Sequence, residues 1–295
     1  MEEEKREQYQ KLAIQWYPGH MTKARREIAE SMKLVDAVCE IIDARIPASS
    51  RNPDVGALAG DKPRLLILNR ADLADPEITA RWRDHFQRQG FKVLETDARS
   101  GKGVKQFSRA LREVLKDYLA VLEEKGQGTR PLRAMILGIP NVGKSTFINA
   151  LAGRKAAAAG DRPGVTRGRQ WIAAGEGVEL LDTPGILWPK FDSQSVGEAL
   201  ALTRAIKPDV FDREALAANF LVRLRETNPA VVEARYKFTP DAGQNGYELL
   251  EQAARRRGFL ISGGEADTER MANALLSEYH DGKLGRISLE APPEA

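Results

Sequence analysis

The sequence holds a single cysteine, Cys39, among its 295 residues. One thiol closes no intrachain disulfide and builds no cysteine metal cluster, which points to a reducing compartment. Its place in the apolar run 35–42 predicts a buried strand residue rather than a reactive thiol. No apolar stretch approaches the ~20 residues that a membrane-spanning helix needs, so no membrane partner is expected. The opening residues, Met1-Glu2-Glu3-Glu4-Lys5-Arg6-Glu7, are acidic and lead into no apolar core, unlike a targeting peptide. A cytoplasmic protein is expected. Charge of one sign is also missing: the formal net charge is +3, too balanced to declare a nucleic-acid footprint. Internal repeats are absent.

What remains is a globular composition, 42% hydrophobic, with enough apolar mass for a sizeable core. After a mixed-charge lead through Trp16-Tyr17-Pro18-Gly19-His20, the spacing of Ala24, Ile28 and Met32 predicts a helix over 22–33. Strands are predicted at 35–43, 64–68, 92–95, 132–137 and 178–181, with helices at 78–89 and 144–152. One long helix is predicted over 104–123, with Val104, Phe107, Leu111, Leu115, Leu119 and Leu122 along one side. Residues 44–53 and 124–131 read as connections. Alternating strands and helices imply an α/β domain with a mostly parallel sheet. Beyond about Leu200 the pattern becomes helical, at 214–225, 246–257 and 268–279. The expected division is a domain over 1–200, a small all-helical domain over 201–287 and a tail at 288–295, frayed over 291–295.

The sharpest local signal is Gly138-Ile139-Pro140-Asn141-Val142-Gly143-Lys144-Ser145, a G-x-x-x-x-G-K-S/T phosphate loop between a strand and a helix. Its glycines let backbone N–H groups converge on phosphate oxygens at the positive end of the helix. Asn141, Val142, Gly143, Lys144, Ser145 and Thr146 form the expected phosphate contacts. Lys144 reaches the β- and γ-phosphates, and the Ser145 hydroxyl ligates Mg²⁺. Asp182-Thr183-Pro184-Gly185 ends the strand at 178–181, placing the Asp182 carboxylate in the Mg²⁺ shell and the Gly185 N–H near the γ-phosphate. Between them Thr166, after Arg162-Pro163-Gly164-Val165, either completes that shell or is an ordinary loop residue.

Asn69-Arg70-Ala71-Asp72 resembles the N-K-x-D element that reads guanine. A carboxylate at Asp72 accepts from N1–H and the exocyclic amine, a pair of donors that adenine lacks. Arg70 replaces lysine, and its stem lies along the base without being interchangeable with it. Thr96-Asp97-Ala98-Arg99-Ser100-Gly101-Lys102-Gly103 resembles the S-A-K segment, with Ala98 offering its N–H to guanine O6 and Asp97 standing where serine is usual. The predicted ligands are therefore GTP or GDP with Mg²⁺. An ATP-using P-loop enzyme is the competing reading, and Asp72 argues against it.

The order of these elements is base, base, phosphate, switch, switch, as in circularly permuted GTPases. Together with the lead 16–26 (WYPGHMTKARR), the loop 43–53 (DARIPASSRNP), GIPNVGKST at 138–146 and DTPGI at 182–186, the chain resembles the ribosome-biogenesis GTPase A family. The likeness runs through Gly282-Lys283-Leu284-Gly285. The resemblance implies GTP hydrolysis by a cytoplasmic factor in late assembly of the large ribosomal subunit, binding ribosomal RNA and proteins of the precursor. A monomer is expected. A GTP-dependent binding switch with another RNA or protein partner, hydrolysis incidental, is the alternative.

Ile186 follows Gly185 where many GTPases carry a water-orienting glutamine. The resemblance points to His20 for that task; the other reading is that residues 16–20 pin the first helix. Asn141 implies K⁺ by likeness to related GTPases, or simply a rigid loop. The clusters Lys23, Arg25, Arg26 and Arg255, Arg256, Arg257 are RNA contacts or solvated surface, and Arg162, Arg167 and Arg169 form a third basic group.

Overall fold

The computed structural model describes residues 21–127, 130–153, 170–188, 191 and 193–294. These fall into two compact units, Phe191–Gly285 and a sheet unit that also takes in the chain from Arg286 onward.

The sheet unit contains α1 (Met21–Ser31), β1 (Ala37–Asp43), α2 (Asp54–Ala59), β2 (Arg64–Asn69), α3 (Pro76–Arg88), β3 (Lys92–Glu95), α4 (Phe107–Val114), α5 (Lys116–Glu124), β4 (Leu132–Leu137), α6 (Lys144–Ala152), β5 (Gln170–Ala173) and β6 (Val178–Asp182). Strand order is β3-β2-β1-β4-β6-β5. All neighbours are parallel except β5, which runs antiparallel to β6 at the edge. Every residue of β1 is buried, as expected of a central parallel strand covered on both faces. Cys39 lies in it, and burial pushes its thiol well above the ordinary cysteine range.

Two expectations change here. The helix expected over 104–123 is a 3-10 turn at Val104–Gln106 followed by α4 and α5, broken at Leu115. Leu115 is buried and leaves helical geometry with ψ 11°, so the apolar spacing carries on across a bend that it does not reveal. Strand β5 has one buried residue, Ile172, and exposed Gln170, Trp171 and Ala173. It has no apolar run by which to be read.

The other unit is all helical: α7 (Gln194–Leu202), α8 (Arg213–Thr227), α9 (Pro229–Tyr236), α10 (Gly246–Arg256) and α11 (Thr268–His280). Phe220 and Tyr279 meet edge-on at 4.8 Å. The buried Glu278 carboxylate accepts from Arg235 Nε and Tyr236 Oη at 3.0 Å, and from Arg257. Asn245 caps α10 in a reciprocal box with Glu248, a device that satisfies two backbone donors.

Candidate nucleotide site

Because β3, β2, β1, β4 and β6 are mutually parallel, their C-terminal ends share one edge of the sheet. The chain runs outward from β1 to β2 and β3, then resumes at β4 on the other side of β1. Order reverses between β1 and β4, and open α/β sheets bind ligands beyond the strand ends at such a point. Among the described residues, four of the motif loops leave this edge: 69–72 after β2, 96–103 after β3, 138–143 after β4 and 182–186 after β6.

Gly143 precedes α6 with φ 100°, and a Cβ there would stand 2.4 Å from Asn69 Nδ2. The left-handed backbone and the close approach both demand glycine. Phe147 N closes the first turn on Gly143 O at 2.9 Å. Lys144 is buried, and its Nζ donates to the carbonyls of Gly138 at 3.0 Å and Ile139 at 2.9 Å. Burial pulls its pKa down to about 8, opposed by the Asp182 carboxylate. Ser145 is half-buried and Thr146 exposed at the start of the helix.

Asn69 ties the base loops to the phosphate loop. Its Nδ2 donates to Val142 O at 2.9 Å, and its Oδ1 accepts from Thr96 Oγ1 at 3.0 Å and from the Ala98 N–H at 3.1 Å. The hydrogen assigned from sequence to guanine O6 is thus directed at Asn69. Arg70, with φ 59°, donates from Nη2 to Asn141 O at 2.6 Å. Its Nε lies 3.8 Å from Asp43 Oδ2.

Asp72 is exposed. Desolvation by its surroundings and the neighbouring Asp97 carboxylate hold its pKa above the ordinary aspartate value. Asp97 uses its own carboxylate to cap its turn, accepting from Arg99 N at 2.9 Å and Ser100 N at 3.2 Å. The residue that departs from the S-A-K pattern thereby orders the segment. Gly103 closes that turn with φ 78°, and a Cβ would meet Glu95 O at 2.2 Å.

Asp43 and Arg45, unassigned from sequence, form a buried ion pair beneath Arg70. Arg45 Nε and Nη2 donate to the two Asp43 oxygens at 3.0 and 2.8 Å. Burial pushes the Asp43 pKa up, but the Arg45 charge and hydrogen bonds, with Arg70, outweigh it and hold the carboxyl below its ordinary value.

On the other side, Asp182 and Thr183 are buried at the end of β6, with Thr183 Oγ1 donating to Ile136 O at 2.7 Å. A Cβ on Gly185 would stand 2.8 Å from Pro140 backbone and 2.9 Å from Lys144 Nζ, so the switch loop packs directly on the phosphate loop. Ile186 is buried, its N–H facing Gly138 O at 3.3 Å and its carbonyl accepting from Asn52 Nδ2 at 3.3 Å. The Ser145 hydroxyl and Asp182 carboxylate are hard oxygen donors flanking this cradle, a set that suits Mg²⁺ completed by phosphate and water. His20, Thr166, Arg162, Arg167 and Arg169 lie outside the described residues.

The C-terminal arginines Arg255, Arg256 and Arg257 are all exposed; Arg255 donates to Glu251 and to Gly264 O, and Arg257 to Glu278. Sequence reasoning also missed Arg286 and Ser288, which bond the loop around Asp72, and Glu290, which bonds Ala48, Ser49 and Trp82; a scatter of single polar residues after the last helix carries no periodic or motif signal.

Loops that resemble guanine-reading elements, joined to a phosphate loop that follows them in the chain, define a circularly permuted P-loop GTPase, a GTP hydrolase. The family described as 50S ribosome-binding GTPase matches residues 133–231. Ribosome biogenesis GTPase A of Priestia megaterium is 45% identical over 96% of this chain and 99% of its own length. The Thermotoga maritima relative of that name is 33% identical over 95% of each chain. The crystal structure of GNP-bound YlqF from T. maritima superposes with a TM-score of 0.63 at 30% identity, over 92% of this chain and 100% of the other. A GDP-bound YlqF structure gives 0.60. This chain belongs to the ribosome biogenesis GTPase A family.

Proposed function

We propose that this protein hydrolyses GTP in late assembly of the large ribosomal subunit, acting as a cytoplasmic monomer that binds the precursor's RNA and proteins. The observation that carries the nucleotide part is Asn69, whose one side chain holds Val142 of the phosphate loop and Ala98 of the second base loop. The partner rests on the family and on its relatives' names.

In this reading Asp72 accepts the two guanine donors, the Arg70 stem lies along the base, and guanine O6 shares the Ala98 N–H with Asn69. Asn141, Val142, Gly143, Lys144, Ser145 and Thr146 surround the phosphates. Lys144 exchanges its loop carbonyls for the stronger anionic acceptors of the β- and γ-phosphates. Ser145, Asp182 and Thr166 would hold Mg²⁺, which would neutralise the negative charge developing on the phosphates. Gly185 offers its N–H to the γ-phosphate. Ile186 has no group with which to orient the attacking water, and His20 supplies it. Asn141 would favour a K⁺, which would supply further positive charge at the phosphates. The helical segment 201–287 carries RNA contacts, with Arg256 among its exposed cations.

GTP turnover by the purified protein in K⁺ buffer, alone and with large ribosomal subunits, tests this. Subunit-stimulated turnover that falls with His20→Ala and with Na⁺ in place of K⁺ is the expected result. Turnover indifferent to subunits, with subunit affinity still set by GDP or GTP analogue, would favour a binding switch instead.

A further inference from the structure

The chain returns to the sheet unit at Arg286 and runs along the loop that carries Asp72. Arg286 donates from Nε to Ala74 O and from Nη2 to Ala71 O, both at 2.8 Å. Ile287 N donates to Leu73 O at 3.0 Å, and Asp75 N donates to Ser288 Oγ at 3.0 Å. Carbonyls on both sides of Asp72 are therefore held by Arg286 and Ile287, which no guanine motif includes.

The attachment is anchored further along. Leu289 N donates to Arg45 O at 2.8 Å, Trp82 Nε1 donates to Glu290 O at 3.0 Å, and the Glu290 carboxylate accepts from Ala48 N at 2.8 Å and Ser49 N at 3.1 Å. Ile287 and Leu289 are buried. Arg70 sits in the left-handed region immediately before the loop, a conformation a non-glycine residue keeps only when its surroundings hold it. Its neighbour Ala71 N donates to Thr96 O at 3.1 Å. Ala71 is thereby held from the second base loop on its N–H and from Arg286 on its carbonyl.

The geometry points to Arg286 as a positioning residue for guanine recognition: it fixes the backbone on either side of Asp72 so that the carboxylate is preset for the N1–H and exocyclic amine of the base. This rests on Asp72 being the guanine acceptor. Arg286 touches no nucleotide in this account and acts only through the loop. Two hydrogen bonds from a charged donor are at stake, each of the class that shifts equilibria several-fold. Preorganisation of a binding loop is gained or lost with such restraints.

The test compares GDP with inosine diphosphate, which lacks the exocyclic amine, by fluorescence competition on the full-length protein. Arg286→Ala is expected to weaken GDP about tenfold and to lower the GDP-to-inosine-diphosphate preference, because the second Asp72 contact is the one that the inosine ligand never makes. Arg286→Lys, which keeps the charge on a single donor nitrogen, is expected to recover part of that preference, and Ser288→Ala to lower it in the same direction. A merely structural role would weaken both ligands equally, and that result would overturn the inference. Asp72→Asn separates the two ideas. If it abolishes the preference while Arg286→Ala leaves it intact, Asp72 reads guanine and the Arg286 inference fails. If Asp72→Asn keeps the preference, Asp72 is not the acceptor and both fail.

Discussion

Asn69 Nδ2 donates to Val142 O across 2.9 Å, joining residues 73 apart in sequence. The same side chain accepts from Thr96 and Ala98, so three loops from three strand ends meet at one buried amide. Replacing it with alanine strands a carbonyl, a hydroxyl and an N–H at once. Unsatisfied buried groups cost roughly 1–3 kcal/mol each before relaxation. Asn69→Ala is expected to lower unfolding free energy by about 2 kcal/mol in a urea titration and to weaken GDP at least tenfold in a fluorescence titration.

Lys144 makes nucleotide binding depend on pH. Its folded pKa of about 8 lies below the ordinary 10.5, so the cost of burying its charge is present below about 8 and is relieved as pH rises toward 10.5. Phosphates restore the charged form. GDP binding at pH 9 is therefore expected to take up a proton, read as a difference in calorimetric enthalpy between buffers of unequal ionisation heat. Lys144→Ala is expected to abolish that difference.

Gly103 has no room for a methyl group, with a Cβ position 2.2 Å from Glu95 O and φ 78°. Gly103→Ala is expected to cost about 2–3 kcal/mol through backbone strain and the shift of Glu95. Gly101, with φ 81° and open space around it, is expected to tolerate alanine better. Thermal melts of the two variants check the order.

The pair Asp43–Arg45 stabilises only as a pair. Arg45→Met leaves a buried carboxylate with little compensation, and about 3–5 kcal/mol is expected to be lost. Asp43→Leu combined with Arg45→Met is expected to recover much of it. Asp43 titrates below its ordinary value, so its contribution is complete above the unfolded pKa and disappears as pH falls through the folded one. Urea midpoints measured from pH 6 downward are expected to drop less steeply in the double variant.

The core strands and the phosphate loop were legible because each is written locally: an apolar run, then glycines at fixed offsets. The α/β class and the permuted order of motifs followed from that. The break at Leu115 was not legible, since apolar spacing continues on both sides of it. Strand β5 was hidden by its exposure, with only Ile172 buried. The short helices α7 and α9 went unread for want of long amphipathic patterns. Within the candidate site, Asn69, Arg70, Asp97 and Ala98 stand out by motif, but the partners of Asn69, Arg70 and Ala98 are remote in sequence. That Arg70 binds Asn141 O, that Asp97 caps its own turn and that Arg286 holds Ala71 and Ala74 are tertiary facts with no local signature.

Competition between GDP and ADP for the wild-type protein, at equal Mg²⁺ and K⁺, tests most directly whether the loops before the phosphate loop read guanine. Preference for GDP on the order of 10⁴-fold is the predicted result. Equal affinity for the two would mean that Asp72 and Ala98 do not form the base site, and would contradict the account.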